Sequence, residues 1–260
     1  MTRAGYYAWR HREESARRKQ DRTLTNIIRD VFERSRCTYG SPRVHRRLLV
    51  LGWAVSRRRI ERLMRDAGLR ARSARIYRPK AGLRRVFARN PNLLWKHRAK
   101  RPDQVWVADV TYLSVSGSWR YLAVVMDQNS RRILGWSLGR GRGVHLTRAA
   151  LDQALRKRQP PHGLIFHSDR GIEYAGFAMA SRLKAMGVRQ SMTRGGCPGD
   201  NAHAESFFHS LKADVIHGVR FHDDKQLRTC LRSYVPFYNS YRSHSSLGFR
   251  SPVEYERRSA

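Results

Sequence analysis

The sequence predicts an α/β layer fold, a mixed sheet with flanking helices, preceded by a small helical module. Three observations carry this prediction. Between Gln104 and Leu138 three β-rich runs follow one another across short turns. From His145 to about Val215 helical and strand patterns alternate, as in a sheet covered by helices. Residues 23–68 show only helical periodicity, broken at intervals by glycine. With 260 residues, 40 % of them hydrophobic, the chain can bury one large core or two modest ones.

The helical module comes first. Leu24, Ile27, Ile28, Val31 and Phe32 recur at helical spacing, which predicts a helix over about 23–35. Ser41 is a good N-cap and Pro42 a good first helical residue. The helix they open carries Val44, Leu48 and Leu51 on one face, and Gly52 stops it. Ser56 caps a further helix with Ile60, Leu63 and Met64 inward, stopped at Gly68. Two short helices joined by a tight turn form a helix-turn-helix arrangement. Its second helix presents Arg57, Arg58, Arg59, Arg62 and Arg65 with a single acid, Glu61. On a recognition helix these arginines would meet DNA phosphates and base edges; otherwise they make a solvated basic face.

Residues 69–102 read as a basic linker broken by Pro79, Gly82 and Pro91, with Tyr77, Phe87 and Trp95 among the charges. The core follows. Gln104–Leu113 is a strand, Gly117-Ser118 a turn, and Arg120–Met126 a nearly continuous apolar run suited to a central strand. Ile133–Leu138 is the third strand. A helix over His145–Arg158, a strand over Gly163–His167, a helix over Tyr174–Met186, a strand over Gly187–Met192 and a helix from Asp200 to about Val215 complete it. Residues 216–260 read as a C-terminal helical extension. The predicted domains are therefore 1–68, the linker 69–102, an α/β core over 103–215, and 216–260.

Charge names the partner. The chain has 53 Lys and Arg against 20 Asp and Glu, a net +33. Such a protein repels itself unless a polyanion neutralises it, and nucleic acid is the obvious one. Residues 1–100 hold 29 of the basic residues and only 7 acids, and no acid lies between Asp66 and Asp103. The first part binds, while the second also has acids to spend on chemistry. No apolar run reaches the roughly 18 residues of a membrane span. The N-terminal residues do not resemble a signal peptide, so the expected location is the cytoplasm, on the nucleoid. Cys37, Cys197 and Cys230 are odd in number and widely spaced, which argues against a disulfide framework or a zinc ribbon.

Three carboxylates stand out. Asp109 lies inside an apolar strand on the face of Val105, Val107 and Leu113, where a carboxylate is costly unless paired or metal-bound. Asp169 follows directly on the apolar run Gly163-Leu-Ile-Phe-His-Ser168, at the carboxyl end of a buried strand, where α/β sheets bind ligands. Glu205 lies on a helix whose core stripe is Ala204, Phe208, Leu211 and Val215. A neighbouring polar stripe holds Asn201, Glu205, His209 and Lys212, which lets the helix aim Glu205 at the sheet end. Attack on a DNA phosphodiester needs a deprotonated nucleophile and a stabilised leaving oxygen. Two divalent ions about 3.5–4 Å apart supply both, and Mg2+ prefers such hard oxygen ligands.

The segments Trp106-Val-Ala-Asp109-Val-Thr111-Tyr112, His167-Ser-Asp169-Arg-Gly171 and Gly199-Asp200-Asn201-Ala202-His-Ala-Glu205-Ser206-Phe-Phe resemble the signatures of the integrase-core transposases of bacterial insertion sequences. The likeness is greatest to elements with two reading frames, whose second frame encodes the catalytic half. The 35 residues between Asp169 and Glu205 match the spacing of that family and of retroviral integrases. Tyr39-Gly40-x-Pro42-Arg43-Val44 resembles the family's helix-turn-helix entry, and Tyr121–Trp136 its central hairpin. Tyr238-Asn239-x-x-Arg242-x-His244-Ser245-x-Leu247-Gly248 with Ser251-Pro252 resembles its C-terminal signature.

The resemblance implies a ribonuclease-H-like fold, two ions of Mg2+ or Mn2+, and Asp109, Asp169 and Glu205 as both catalytic residues and metal ligands. It implies metal-dependent cleavage and strand transfer of insertion-sequence ends. The partners are double-stranded DNA, further copies of the chain, and an upstream-frame protein met as a partner or a fusion. Lys212, seven residues beyond Glu205, is then expected on DNA phosphate, and Asn201, one turn before Glu205, is expected to orient it. Asp214 supplies the acid that the family often has two residues after that lysine. Thr193–Gly199 is expected to be a mobile loop that orders on DNA. A nuclease on the same fold would share the metal ligands without needing the helix-turn-helix. A DNA-binding regulator would carry a decayed core, and these three acids are intact.

Overall fold

The computed structural model describes residues 14–72, 90–95, 99–194 and 197–259, together with Thr2, Arg3 and Tyr7. The chain divides into two compact units, Met1–Ser73 and Ala74–Ala260.

In the first unit α1 spans Ala16–Arg34, α2 Ser41–Val50 and α3 Arg57–Asp66. Leu24, Ile28, Val31 and Phe32 of α1 pack with Val44 and Leu48 of α2 and Ile60, Leu63 and Met64 of α3 in a small buried core. α1 starts earlier than its apolar stripe, because Ser15 accepts a hydrogen bond from Arg18 N and caps it there. Ser56 caps α3 in the same way through Arg59 N. Two expectations are corrected. The N-cap of α2 is Gly40, so Ser41 and Pro42 are its first two residues, and the Ser41 hydroxyl donates to Glu61 of α3 at 3.0 Å. Leu51 is the C-cap of α2 and half exposed, since it lies one residue beyond the last turn that can face the core.

The second unit is built on a five-stranded sheet in the order β3-β2-β1-β4-β5. β1 spans Val105–Val115, β2 Ser118–Asp127 and β3 Ile133–Gly139, forming an antiparallel meander. β4, Ile165–Ser168, lies parallel to β1, and β5, Arg189–Met192, parallel to β4. Alternation in β1 makes two cores. Val105, Val107, Leu113 and Val115 face one side of the sheet; Trp106 and Ala108 face the other, against α4, Val144–Arg158. Gly135 of β3 lets α4 approach, since a Cβ there would collide with the Ala150 carbonyl. The expected helix over 174–186 is two pieces, α5 Ile172–Ala175 and α6 Phe177–Ala185, divided at the extended Gly176. The expected helix from Asp200 is a 3-10 turn, Pro198–Asn201, then α7, Ala202–Leu211, then a π turn, Lys212–Ile216.

Most of the predicted linker, 73–89 and 96–98, lies outside the described residues, and with it Tyr77, Pro79, Gly82 and Phe87. Its described end belongs to the sheet unit: Leu93 N donates to Ser191 at 2.9 Å, and Leu93, Leu94 and Ala99 pack on the core. The C-terminal residues share that core. α8, Asp224–Ser240, buries Leu227, Leu231, Tyr234 and Tyr238 against the β1 face that also holds Phe207, Phe208 and Leu211 of α7. Phe207 therefore belongs to the α7 stripe, while Val215 is only partly buried because the π turn rotates it away. Arg242 reaches back to Asp214 at 2.6 Å, and the Tyr234 hydroxyl donates to the same carboxylate at 2.8 Å. α9, Pro252–Ser259, is anchored by Glu256, which pairs with Arg132 and Arg158. Among the described residues no helix is long and apolar enough to cross a membrane.

Candidate active site

The parallel register of β1 and β4 ends at Ala108 opposite Ser168. One residue further come Asp109, still within β1, and Asp169, the first residue after β4, and the charges of both act on Arg142 and Tyr174. Asp109 is half-buried, and its Oδ1 accepts from Val110 N at 2.8 Å. Asp169 is buried and accepts from Gly171 N at 3.0 Å. Each carboxylate is thus oriented by a backbone N–H one or two residues further along the chain.

The helix bearing Glu205 is tied to the same strand end. Asn201 is buried and donates from Nδ2 to the Ala108 carbonyl at 3.1 Å, so what it orients is β1 beside Asp109. Glu205 is exposed one turn along α7. Asp109 and Asp169 thus follow the same end of the β1–β4 pairing and act on the same neighbours, while Glu205 stands in solvent on α7. Among the described residues no three His, Cys, Asp or Glu side chains stand close enough to share one ion. The donor set still fits a hard cation: one carboxylate lies within β1 and one directly follows the adjacent β4, and Asn201 Oδ1, buried on a side chain tied to Ala108, has no hydrogen-bond partner among the described residues.

Sequence reasoning missed three residues here. Arg142, on the loop before α4, donates to Glu173 at 2.5 and 2.8 Å and lies 3.9 Å from Asp169. Burial alone would lower its pKa; the fields of Glu173, Asp169 and Asp109 outweigh that and raise it. Glu173 is 2 % exposed and folds over Gly171, where a Cβ would sit 2.5 Å from its carboxylate. A side chain at 171 would force the Glu173 carboxylate to shift. Tyr174 is fully buried, and among the described residues its hydroxyl has no hydrogen-bond partner. Burial pushes its pKa well up, and Asp109, Asp169 and Glu173 add to the shift. Neither Arg142 nor Glu173 carries a local signal, since they meet across 31 residues. Deeper in β4, burial lowers the His167 pKa to about 4, and its Nδ1 lies 2.9 Å from the Ser191 hydroxyl.

Lys212 is the C-cap of α7 and the first residue of the π turn. Its Nζ lies 5.0 Å from the centre of the Tyr112 ring; burial lowers its pKa, and the Asp109 charge pulls the other way. Across the glycine-rich loop, Asp200 takes the Arg194 guanidinium at 2.9 Å and Asn92 at 2.8 Å. Arg194 and its neighbours hold the Asp200 pKa down at about 2. The loop's ends are thus pinned, and its middle, Gly195-Gly196, lies outside the described residues.

In the first unit the five arginines divide. Arg59 and Arg62 both clamp Asp21 of α1, at 2.7 and 2.6 Å, and Arg57 pairs with Glu61 at 2.8 Å. Arg58 and Arg65 are exposed. Part of the basic face therefore ties α3 to α1.

The family models described as Integrase core domain match residues 99–198 and 186–252, and one described as HTH-like domain matches 19–77. Transposase InsF for insertion sequence IS3A of Escherichia coli is 35 % identical over 98 % of this chain and 90 % of its own length. The uncharacterized 31 kDa protein of insertion element IS600 from Shigella sonnei is 37 % identical over 98 % of this chain and 94 % of its own. A chain in a simian T-cell lymphotropic virus intasome superposes with a TM-score of 0.52 at 13 % identity, covering 78 % of this chain and 67 % of that one. The fold is thus the ribonuclease-H-like integrase core, with an N-terminal helix-turn-helix-like domain.

Proposed function

The chain belongs to the integrase-core transposases of insertion sequences, and on that premise we propose that it cleaves and joins the DNA ends of its element, using Asp109, Asp169 and Glu205 as ligands for two Mg2+ or Mn2+ ions. The observation that carries this reading is the register of β1 with β4, which ends at Ala108 opposite Ser168, the residues directly before Asp109 and Asp169. Glu205 completes the set by a side-chain movement on α7, whose N-terminal end Asn201 already holds against β1. When bound, the ions lower the pKa of the attacking hydroxyl and stabilise the leaving oxygen.

The chain's own groups do the rest. The backbone N–H groups of Val110 and Gly171 fix the two aspartates. Arg142, held by Glu173, balances their charge while no cation does. Lys212 turns from the Tyr112 ring to a DNA phosphate. In the first unit Arg58 and Arg65 are best placed to meet DNA, with Arg57, Arg59 and Arg62 shared between DNA and the acids they pair with. Joining two ends calls for at least two copies of the chain on DNA, and an upstream-frame protein is the expected partner or fusion.

A strand-joining assay on the element's own ends tests the reading. Labelled end duplexes and a target plasmid, incubated with Mg2+, should give joined products that disappear with a chelator. Nicks without joining would instead mark a nuclease on this fold, and binding without either would mark a regulator.

A further inference from the structure

β4 ends at Ser168 opposite Ala108, so beyond Asp109 the strand β1 pairs with β2 alone among the described residues. On this one-sided stretch stand two large exposed aromatics, Tyr112 at 46 % and Trp119 at 55 %. Tyr112 lies opposite Tyr121 and Ser114 opposite Trp119, which makes Tyr112 and Trp119 diagonal neighbours on one face. Their ring centres are 5.0 Å apart in an edge-to-face arrangement. α4 covers this face over Trp106, Ala108, Ala123 and Val125 and leaves the aromatic end uncovered. Lys212 reaches the same place from the π turn after α7, with Nζ 5.0 Å from the Tyr112 ring centre.

Exposed aromatic rings beside a cation are what an unpaired nucleic-acid strand requires, since bases stack on the rings and the cation takes a phosphate. The alternative, a cross-strand pair that merely stabilises the hairpin, would not need its rings half in water or a lysine laid over one of them. Position adds to the case. Tyr112 is three residues from Asp109, about 10 Å along the strand and on the other face of the sheet, a distance that a DNA strand passing round the unpaired edge of β1 covers in about three base steps of about 3.4 Å each. A duplex cannot offer base faces to these rings, because its bases are already stacked.

We propose that Tyr112 and Trp119, with Lys212, form a stacking site for an unpaired base of the DNA strand next to the phosphodiester under attack. The proposal rests on the reading of Asp109 as part of the catalytic site. The strand's separated end lies along the unpaired edge of β1, with its base on Trp119 and Tyr112 and its phosphate on Lys212.

The test measures binding of a labelled oligothymidylate and of a duplex of equal length to the full chain, at salt high enough to suppress binding through phosphates alone. Trp119→Ala and Tyr112→Ala should each weaken the single strand by about 5- to 150-fold, equivalent to about 1–3 kcal/mol per stacked base. Duplex affinity should change by less than about threefold, and Trp119→Phe should stay near the parent. Equal losses on both DNAs, or none, overturn the site. Photocrosslinking of parent protein to an iodouracil-substituted strand avoids reliance on variants: label on Tyr112 or Trp119 supports the site, and label only elsewhere overturns it. The two readings fail separately. Selective loss in Trp119→Ala from a parent that never joins DNA supports the stacking site and overturns the catalytic reading. Normal joining with unchanged strand affinity in Trp119→Ala does the reverse.

Discussion

Replacing Arg242 with Met isolates the contact that locks the C-terminal residues to the catalytic helix. Arg242 is 5 % exposed and Asp214 4 %, and Arg242 Nε donates to Asp214 at 2.6 Å. Tyr234, with no exposure, is the other donor to that carboxylate. Removing the guanidinium strands a buried carboxylate on one hydroxyl, which costs about 3–5 kcal/mol. For a unit of this size each kcal/mol lowers Tm by about 2–4 °C, so the transition of the larger unit should fall by about 6–20 °C. Calorimetry of the full chain measures this. The double variant Asp214→Asn with Arg242→Met removes both charges and should recover part of the loss, since deleting a whole buried pair is far milder than orphaning one member. A single variant melting within about 2 °C of the parent would mean that water reaches Asp214 and that the pair does not clamp the turn carrying Lys212.

Three further outcomes are expected. Gly135→Ala drives a methyl into the Ala150 carbonyl and presses Ala154 N at 2.9 Å, so calorimetry should find a loss of about 1–3 kcal/mol or more, and an unchanged Tm would show that α4 can slide. Asp200, held near pKa 2 against 3.8 in the unfolded chain, contributes stability above pH 3.8 that is lost as pH falls through 2; about 2 kcal/mol is at stake. Asp200→Asn should lower stability at pH 7 and flatten the acid limb of a denaturant series between pH 4 and 2, and an unflattened limb would remove Asp200 as its cause. Lys212→Ala gives up only a contact between an ammonium and a ring, worth about 0.5–1 kcal/mol at a partly exposed site. It should therefore slow joining much more than it lowers Tm; a large fall in Tm with normal joining would make Lys212 structural.

What could be read from the sequence was whatever has a local cause. Asp109 and Asp169 stood out because an acid inside or directly after an apolar strand is costly without a partner. Ser56 and Gly68 marked the ends of α3 by capping chemistry. Neighbouring signals misled where two residues compete for one role: Gly40 and Ser41 both precede Pro42, and only the fold decides which one caps. The break at Gly176 was hidden because both halves carry helix formers. Pairings across long separations left no trace. Asp21 is one acid among many arginines until α3 brings Arg59 and Arg62 to it. Arg142 is one arginine of a basic loop until Glu173 folds over Gly171. The C-terminal signature was recognisable but mute; its Arg242 acts by closing on Asp214.

Single-turnover joining of end duplexes by the parent, Asp109→Asn, Asp169→Asn and Glu205→Gln, each across a Mg2+ titration, tests the central claim most directly. Each substitution keeps the side chain's shape and removes a charged oxygen ligand. The account predicts that all three bind end DNA like the parent but join it at less than about one-thousandth of its rate at any Mg2+ concentration, a barrier rise of about 4 kcal/mol. Parent-like joining by any one of them would remove that residue from the site. For Glu205, exposed on α7, it would mean that the third ligand lies elsewhere.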